Sequence, residues 1–267
     1  AAAAREGKLV VMTDFDRTMT RCFAPDGTRI ACSHEVLETE GSCSEAFHHE
    51  SRLLFEKYFP IEIDPVMATS EKIPLMHEWY SKVHDSLMKE SLTSESIRGA
   101  VAHCKALMLR EGMAELIRGC QEARPPVPVL IMSAGLGDII EEYLRQELPF
   151  SLAPTTKLVS NMMEFDAGGR LAGFSEPLIH MFNKRAEQLP ESSRQVLSGM
   201  THCLLLGDSP GDVTMAEGNG LELQQLKIGF LSEKVEERLQ YFSTIYDLIV
   251  TGDGPVPRVC FEAIGMQ

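Results

Sequence analysis

The sequence predicts an α/β fold, a doubly wound parallel sheet with an inserted helical block, and three observations carry that reading. Short runs of large apolar residues at 9–12, 127–132 and 203–206 read as strands buried on both faces. Each is followed at once by a polar set, and from residue 113 onward apolar runs alternate with helical patterns. Repeated strand-then-helix units imply a parallel sheet, and ligands of open α/β sheets bind at the carboxyl ends of the strands. Polar residues at those ends are therefore placed for chemistry rather than packing.

The first strand, 9–12, is entered from polar Arg5-Glu6-Gly7-Lys8 and ends on Asp14-Phe15-Asp16-Arg17-Thr18. The pattern then turns helical for about ninety residues. Phe47, Leu53, Leu54, Phe55 and Tyr58 fall at helical spacing over 44–59, where Pro60 is expected to stop the helix. Asp64-Pro65 is expected to cap and open a second helix, broken or kinked at Pro74, before the stripe Met76, Trp79, Tyr80, Val83, Leu87 and Met88. A further helix is expected over 93–109, with Glu111-Gly112 as the junction back to the sheet. The domain reading is a core of residues 1–21 and 112–267 and a helical cap of 22–111, hinged at Arg21-Cys22 and Glu111-Gly112.

The remaining elements are a helix at 113–123, a strand at 127–132, a helix at 139–148 and a strand at 157–160. A hairpin follows at 164–173, then Asn183-Lys184 at the opening of a helix. Strands at 203–206, 226–230 and 248–250 close the series, the last two each followed by a helix.

Composition narrows the function. With 267 residues, 44% of them hydrophobic and 24% charged, the chain can bury a core as an ordinary globular protein. A formal charge of -14 argues against a nucleic-acid polymer or an anionic membrane as partner, because such surfaces are held by basic patches. It does not exclude a small phosphorylated molecule. The seven cysteines are odd in number, scattered and without a C-x-x-C pair, which reads as reduced thiols in a cytoplasmic protein. No run reads as a membrane span or as a signal peptide, and the chain is expected to be a monomer.

Three strand ends present polar sets: Asp14 with Asp16, Ser133 with its glycines, and Asp208 with Asp212, while Lys184 falls between the last two. Carboxylates two positions apart on an extended backbone point the same way and can share a hard cation with oxygen ligands, a Mg2+ site in outline. Taken singly, D-x-D-x-T is a weak signal. The order D-x-D-x-T, serine, lysine, G-D-x-x-x-D resembles the haloacid dehalogenase-like superfamily of phosphatases.

Within that superfamily the chain is similar to the cytosolic 5'-nucleotidase III family, also called pyrimidine 5'-nucleotidases. The resemblance rests on Asp14-Phe15-Asp16-Arg17-Thr18, Ile61-Glu62-Ile63-Asp64-Pro65, Glu78-Trp79-Tyr80, Met132-Ser133-Ala134-Gly135, Val159-Ser160-Asn161, His180-Met181-Phe182-Asn183-Lys184 and Leu205-Leu206-Gly207-Asp208-Ser209-Pro210-Gly211-Asp212. The segments in the cap are the family-specific ones. The resemblance implies a HAD-like, Rossmann-type core and a Mg2+-dependent enzyme that hydrolyses CMP and UMP to nucleoside and phosphate. Asp14 would be the nucleophile that forms an aspartyl-phosphate, and Asp16 the general acid and later base. Asp14, Asp208 and the main-chain carbonyl of Asp16 would hold Mg2+, with Asp212 supporting them. Ser133, the backbone N–H of Ala134 and Lys184 would bind the phosphate.

For Glu62 the residues leave two readings open, a solvent-facing residue or a carboxylate that accepts hydrogen bonds from a base amino group; the resemblance implies the second. Trp79 could stack on the base or pack in the core, and His34 matches a cap histidine of the family. Val83 stands where vertebrate relatives carry a serine. The alternatives are an enzyme that prefers 7-methylguanosine monophosphate and a non-catalytic nucleotide-binding protein. A haloacid dehalogenase would need neither the metal nor the second carboxylate.

Overall fold

The apolar run after Lys8 forms strand β1 (Leu9–Thr13), every residue of it buried. The structure, a computed structural model, describes residues 1–39, 41–64, 66–104, 107–218 and 220–266. Helix α1 (Ala2–Arg5) precedes β1. Helices α2 (Val36–Thr39), α3 (Glu45–Glu62), α4 (Thr69–Leu87), α5 (Ser94–His103) and α6 (Met113–Glu122) separate β1 from β2 (Val129–Leu136). Then come α7 (Gly137–Glu147), β3 (Thr156–Asn161), the pair β4 (Met163–Phe165) and β5 (Leu171–Phe174), and α8 (Glu191–Arg194). The chain ends with β6 (His202–Gly207), β7 (Gln224–Leu231), α9 (Val235–Phe242), β8 (Leu248–Thr251) and α10 (Arg258–Ala263).

Six strands form one sheet in the order β3-β2-β1-β6-β7-β8. All five pairings are parallel. The order reverses direction between β1 and β6, and such a switch point opens a crevice at the carboxyl ends of the strands. Burial explains why these runs lack polar alternation. Leu9, Val11, Ile131, Leu204 and Leu206 enter one apolar cluster, while Val10, Met12, Leu130, Met132 and Leu205 enter another. Successive side chains point to opposite faces of a strand, so both faces of this sheet are covered. The first cluster takes in α6 and α7 and continues without a break into Val36, Leu37, Phe47, Leu87 and Ile97 of the helical block.

Several sequence expectations change. Pro60 does not stop α3, which runs on to Glu62. A proline so close to the end removes only one hydrogen bond before the helix terminates anyway. Asp64 does not open the next helix; its carboxylate accepts from the N–H groups of Val66 and Met67 at 2.7 and 3.1 Å, shaping a turn, and Pro65 lies outside the described residues. Pro74 sits inside α4 without ending it. The helix expected over 93–109 ends at His103, and Cys104 is already extended.

Lys184 is not at the start of a long helix. It follows a turn in which Asn183 holds the His180 N–H at 2.7 Å, and the element directly after it is a 3-10 turn, Ala186–Gln188. Ser133 lies within β2, where the register against β3 shifts between Met132 and Leu136, and α7 begins directly after the strand.

Candidate active site

The parallel pairing of β1 with β6 brings the two acidic strand ends together. Thr13 pairs with Leu206, and the Asp14 N–H continues the ladder to the Leu206 carbonyl at 3.0 Å. Asp14, Asp208 and Asp212 each offer a carboxylate oxygen, and these oxygens lie within 4.8 Å of one another. The Lys184 ammonium donates to Asp14 Oδ1 and, at 2.9 Å, to Asp212 Oδ1. Lys184, Asp14 and Asp212 are all buried.

Three carboxylates around one ammonium leave an excess of negative charge. Burial, with the Asp212 and Asp208 carboxylates adding to it, pushes Asp14 up although Lys184 opposes the shift. Asp208 is pushed up to about 7, first by burial and then by Asp212. Burial alone would favour loss of the Lys184 proton, but Asp14 and Asp212 outweigh it and hold the ammonium above the ordinary lysine value. A hard divalent cation suits this set, since all the donors are oxygens and their charge is uncompensated.

The hydrogen bonds separate the three acids. Asp212 is occupied on both oxygens: Lys184 takes Oδ1, while Asp208 N–H, Ser209 N–H and Ser209 Oγ donate to Oδ2 at 3.1, 3.0 and 2.8 Å. Asp14 keeps Oδ2 free, and nothing among the described residues donates to the Asp208 carboxylate. Asp14 and Asp208 are thus the acids able to ligate a cation, and Asp212 braces them. Gly207 is required here, because a side chain would collide with the Asp212 Cβ and meet the Tyr246 hydroxyl at 2.8 Å. Asp16 turns its carboxylate to Ser33, whose N–H and Oγ donate to Oδ1 and Oδ2 at 2.7 and 2.6 Å. Each Asp16 oxygen thus already has a donor, unlike Asp14 Oδ2.

The loop that carries Asp14 and Asp16 is held from below by residues the sequence reading passed over. Arg17 adopts φ 64°, and its N–H donates to Thr20 Oγ1 at 2.8 Å. The buried Arg110 guanidinium donates to the carbonyls of Arg17, Thr18 and Gly254 at 2.7, 2.8 and 2.8 Å and lies 4.1 Å over the Phe230 ring. Asp253 accepts from Cys22 and Phe23 N–H, both at 2.7 Å, and stands 3.7 Å from Arg110. On the other side Ser133 Oγ accepts the Gly135 N–H at 3.0 Å. Ser160 and Asn161 of β3 donate to the carbonyls of Gly135 and Ala134, both at 2.8 Å. Arg110, Asp253 and Ser33 carry no motif spacing; a buried arginine beside a junction was the available signal.

These groups form the floor of a cavity of about 380 Å3, lined by Asp14, Asp16, Ser133, Ala134, Lys184 and Asp208. That size falls within the range of small-molecule sites. Its roof includes His34, Glu62, Trp79, Tyr80, Phe55 and Phe59. Of the residues singled out from the sequence, only Asp212 lies behind the wall. Glu62 is the last residue of α3, and burial raises its carboxyl above the ordinary range. Trp79 stacks on buried Tyr58, with centroids 5.8 Å apart and planes at 12°, and it also lines the cavity. His34 meets Tyr80 edge-on at 5.8 Å, and burial lowers its imidazole.

A family profile described as pyrimidine 5'-nucleotidase (UMPH-1) matches residues 17–264. The 7-methylguanosine phosphate-specific 5'-nucleotidase of Mus musculus is 41% identical over 92% of this chain and 80% of its own length. The crystal structure of cytosolic 5'-nucleotidase IIIB bound to cytidine superposes with a TM-score of 0.83 at 32% identity, over 97% of this chain and 85% of that one. A probable phosphoserine phosphatase from Vibrio cholerae, at 15% identity and a TM-score of 0.50 over 91% and 61% of the two chains, shares the fold alone.

Proposed function

The chain belongs to the pyrimidine 5'-nucleotidase family and is a phosphoric monoester hydrolase with the α/β fold of the haloacid dehalogenase-like enzymes, and from that premise we propose that it is a Mg2+-dependent 5'-nucleotidase that hydrolyses CMP and UMP. One observation carries the proposal: carboxylate oxygens of Asp14, Asp208 and Asp212 converge within 4.8 Å of one another beside Lys184, with Asp14, Asp208 and Lys184 on the floor of one cavity and Asp212 behind them.

In this reading Asp14 Oδ2, the oxygen left free by Lys184, attacks phosphorus and forms an aspartyl-phosphate. Lys184 holds Asp14 in place and offsets the charge of the phosphoryl group. Ser133 Oγ and the Ala134 N–H bind phosphoryl oxygens at the end of β2. Asp16 protonates the departing ribose oxygen and afterwards takes a proton from the hydrolytic water. Mg2+, held by Asp14, Asp208 and the Asp16 carbonyl with Asp212 behind them, would supply the positive charge that lets an anionic carboxylate approach an anionic phosphate. Residues 1–21 and 112–267 serve as the catalytic core and 22–111 as the cap, where Glu62 accepts from the base and Trp79 and His34 flank it. We place the protein in the cytoplasm as a monomer acting on small molecules; its seven unpaired cysteines support that compartment.

A second reading, preference for 7-methylguanosine monophosphate, is favoured by the name of the mouse relative and by the roof itself. Trp79, Phe55 and Phe59 form an aromatic wall near the Glu62 carboxylate, a setting that suits a positively charged base. A panel of CMP, UMP, AMP and 7-methylguanosine monophosphate, assayed with Mg2+ and again with EDTA, tests both readings. Turnover lost in EDTA is expected for CMP and UMP. Inactivity on every nucleotide would overturn the proposal, and turnover of the methylated nucleotide alone would establish the second reading.

A further inference from the structure

We propose that Ser33 is the positioning residue for Asp16, an inference that rests on the assignment of Asp16 as general acid. Ser33 is fully buried, and it contacts both oxygens of one carboxylate, N–H to Oδ1 at 2.7 Å and Oγ to Oδ2 at 2.6 Å. Rotating the Asp16 carboxylate breaks both bonds at once, so its plane is fixed. Ser33 is itself held in a turn where the Glu35 carboxylate accepts the Cys32 N–H at 2.7 Å and the Glu35 N–H bonds to the Cys32 carbonyl at 2.9 Å.

The two donors are not equivalent. A backbone N–H only donates, so Oδ1 remains an acceptor throughout; a hydroxyl can donate or accept, so Oδ2 is the oxygen able to exchange a proton. Gly135 shows where Oδ2 lies. A Cβ there would collide with Ser33 Oγ and sit 3.1 Å from both Asp16 Oδ2 and Ser133 Oγ, so three oxygens share the space a side chain would fill. Oδ2 and the serine assigned to the phosphate therefore border the same space beside Gly135. As the bond from Asp14 Oδ2 to phosphorus forms and the bond to the ribose oxygen breaks, the electron pair leaves with that oxygen and the proton passes to it from Asp16 Oδ2. Ser33 arrives on the segment between β1 and β2 that also supplies Glu62 and Trp79. Docking of that segment both aligns the acid and builds the roof.

Ser33→Ala, Asp16→Asn and the double variant are assayed with Mg2+ on the nucleotide turned over fastest and on p-nitrophenyl phosphate, whose leaving group needs no proton. Ser33→Ala is expected to lower kcat on the nucleotide about 10–100-fold, as small misplacements of catalytic groups do. KM on the nucleotide should stay within about 2-fold, and the loss in kcat/KM on the aryl phosphate below about 3-fold, because kcat/KM reads the step in which the leaving group departs and not the later attack of water on the shared aspartyl-phosphate. In the D16N background S33A should add nothing. Equal loss in kcat/KM on both substrates, or an unchanged nucleotide kcat/KM, overturns the role of Ser33. Nucleotide turnover that survives Asp16→Asn instead overturns the role of Asp16. If a thermal melt shows Ser33→Ala unfolded, Ser33→Cys takes its place: a loss on the nucleotide alone supports the inference, and equal losses overturn it.

Discussion

Asp208 lies beside Asp212 without a donor to its own carboxylate among the described residues, and it is pushed up to about 7 by burial and by that neighbour. An unfolded chain titrates the same group near 3.9. Between these values the folded state holds more protons, so this group's contribution to stability falls as pH rises through the window and is lowest above about 7. Asp208→Asn removes the charge while keeping the shape. In metal-free protein the variant should melt several degrees above the parent at pH 8, and the gap should close toward pH 4. Its nucleotidase turnover should be lost. Melts in EDTA across that range check the sign; a gap that widens toward acid would show the charge to be stabilising. The expected result, a variant more stable at pH 8 but inactive, would make the site one of those that exchange stability for function.

Among the elements, the two strands of chain that lead into and out of the helical block are tied to each other and to the sheet. Arg21 N–H bonds to the Met108 carbonyl and Arg110 N–H to the Met19 carbonyl, at 2.9 and 2.8 Å. Arg110 then serves four carbonyls with its guanidinium, those of Arg17, Thr18, Thr20 and Gly254, and Asp253 stands against it. Arg110→Met would leave those carbonyls and a buried carboxylate without a partner, at a cost of about 3–5 kcal/mol. For a chain of this length that is a fall of roughly 10 °C in Tm. Arg110→Lys should recover little, since an ammonium cannot reproduce the planar fork. A melt of Arg110→Lys within about 2 °C of the parent would remove the fork from the account.

The strands were legible because β1, β2 and β6 are continuous apolar runs, and that pattern has one common cause, burial on both faces. The helix limits were not. Pro60 and Pro74 look like stops, yet the helical block packs its stripes against the sheet cluster and this outweighs a single missing hydrogen bond. Asp14, Ser133 and Asp208 could be listed from order, since each lies at or just beyond a recognisable apolar run; Lys184 was legible through the ordered motif series, because the helix expected after it is only a 3-10 turn. Ser33, Arg110 and Asp253 could not, because their partners lie 17, 93 and 231 positions away along the chain.

At the scale of the whole molecule, the helical block and the sheet share one apolar cluster, from Val11 and Leu204 through to Phe47 and Leu87. A cap with its own core could melt separately; one that shares its core with the sheet has little to hold it once the sheet opens. Unfolding is therefore expected as a single cooperative transition. A ligand that binds only the folded state raises that transition by mass action, by about 2.7 kcal/mol at a hundred times its dissociation constant. Because Asp14 and Asp208 are both pushed up, protons compete with a divalent cation for them. Mg2+ should thus raise the whole transition at pH 8 and raise it less at pH 5.5, and in the D208N variant the shift should largely vanish. Scanning calorimetry reads all three. Two transitions, of which Mg2+ moves only one, would mean that the block folds on its own despite the shared cluster. A shift independent of pH would mean that the cation binds away from these carboxylates.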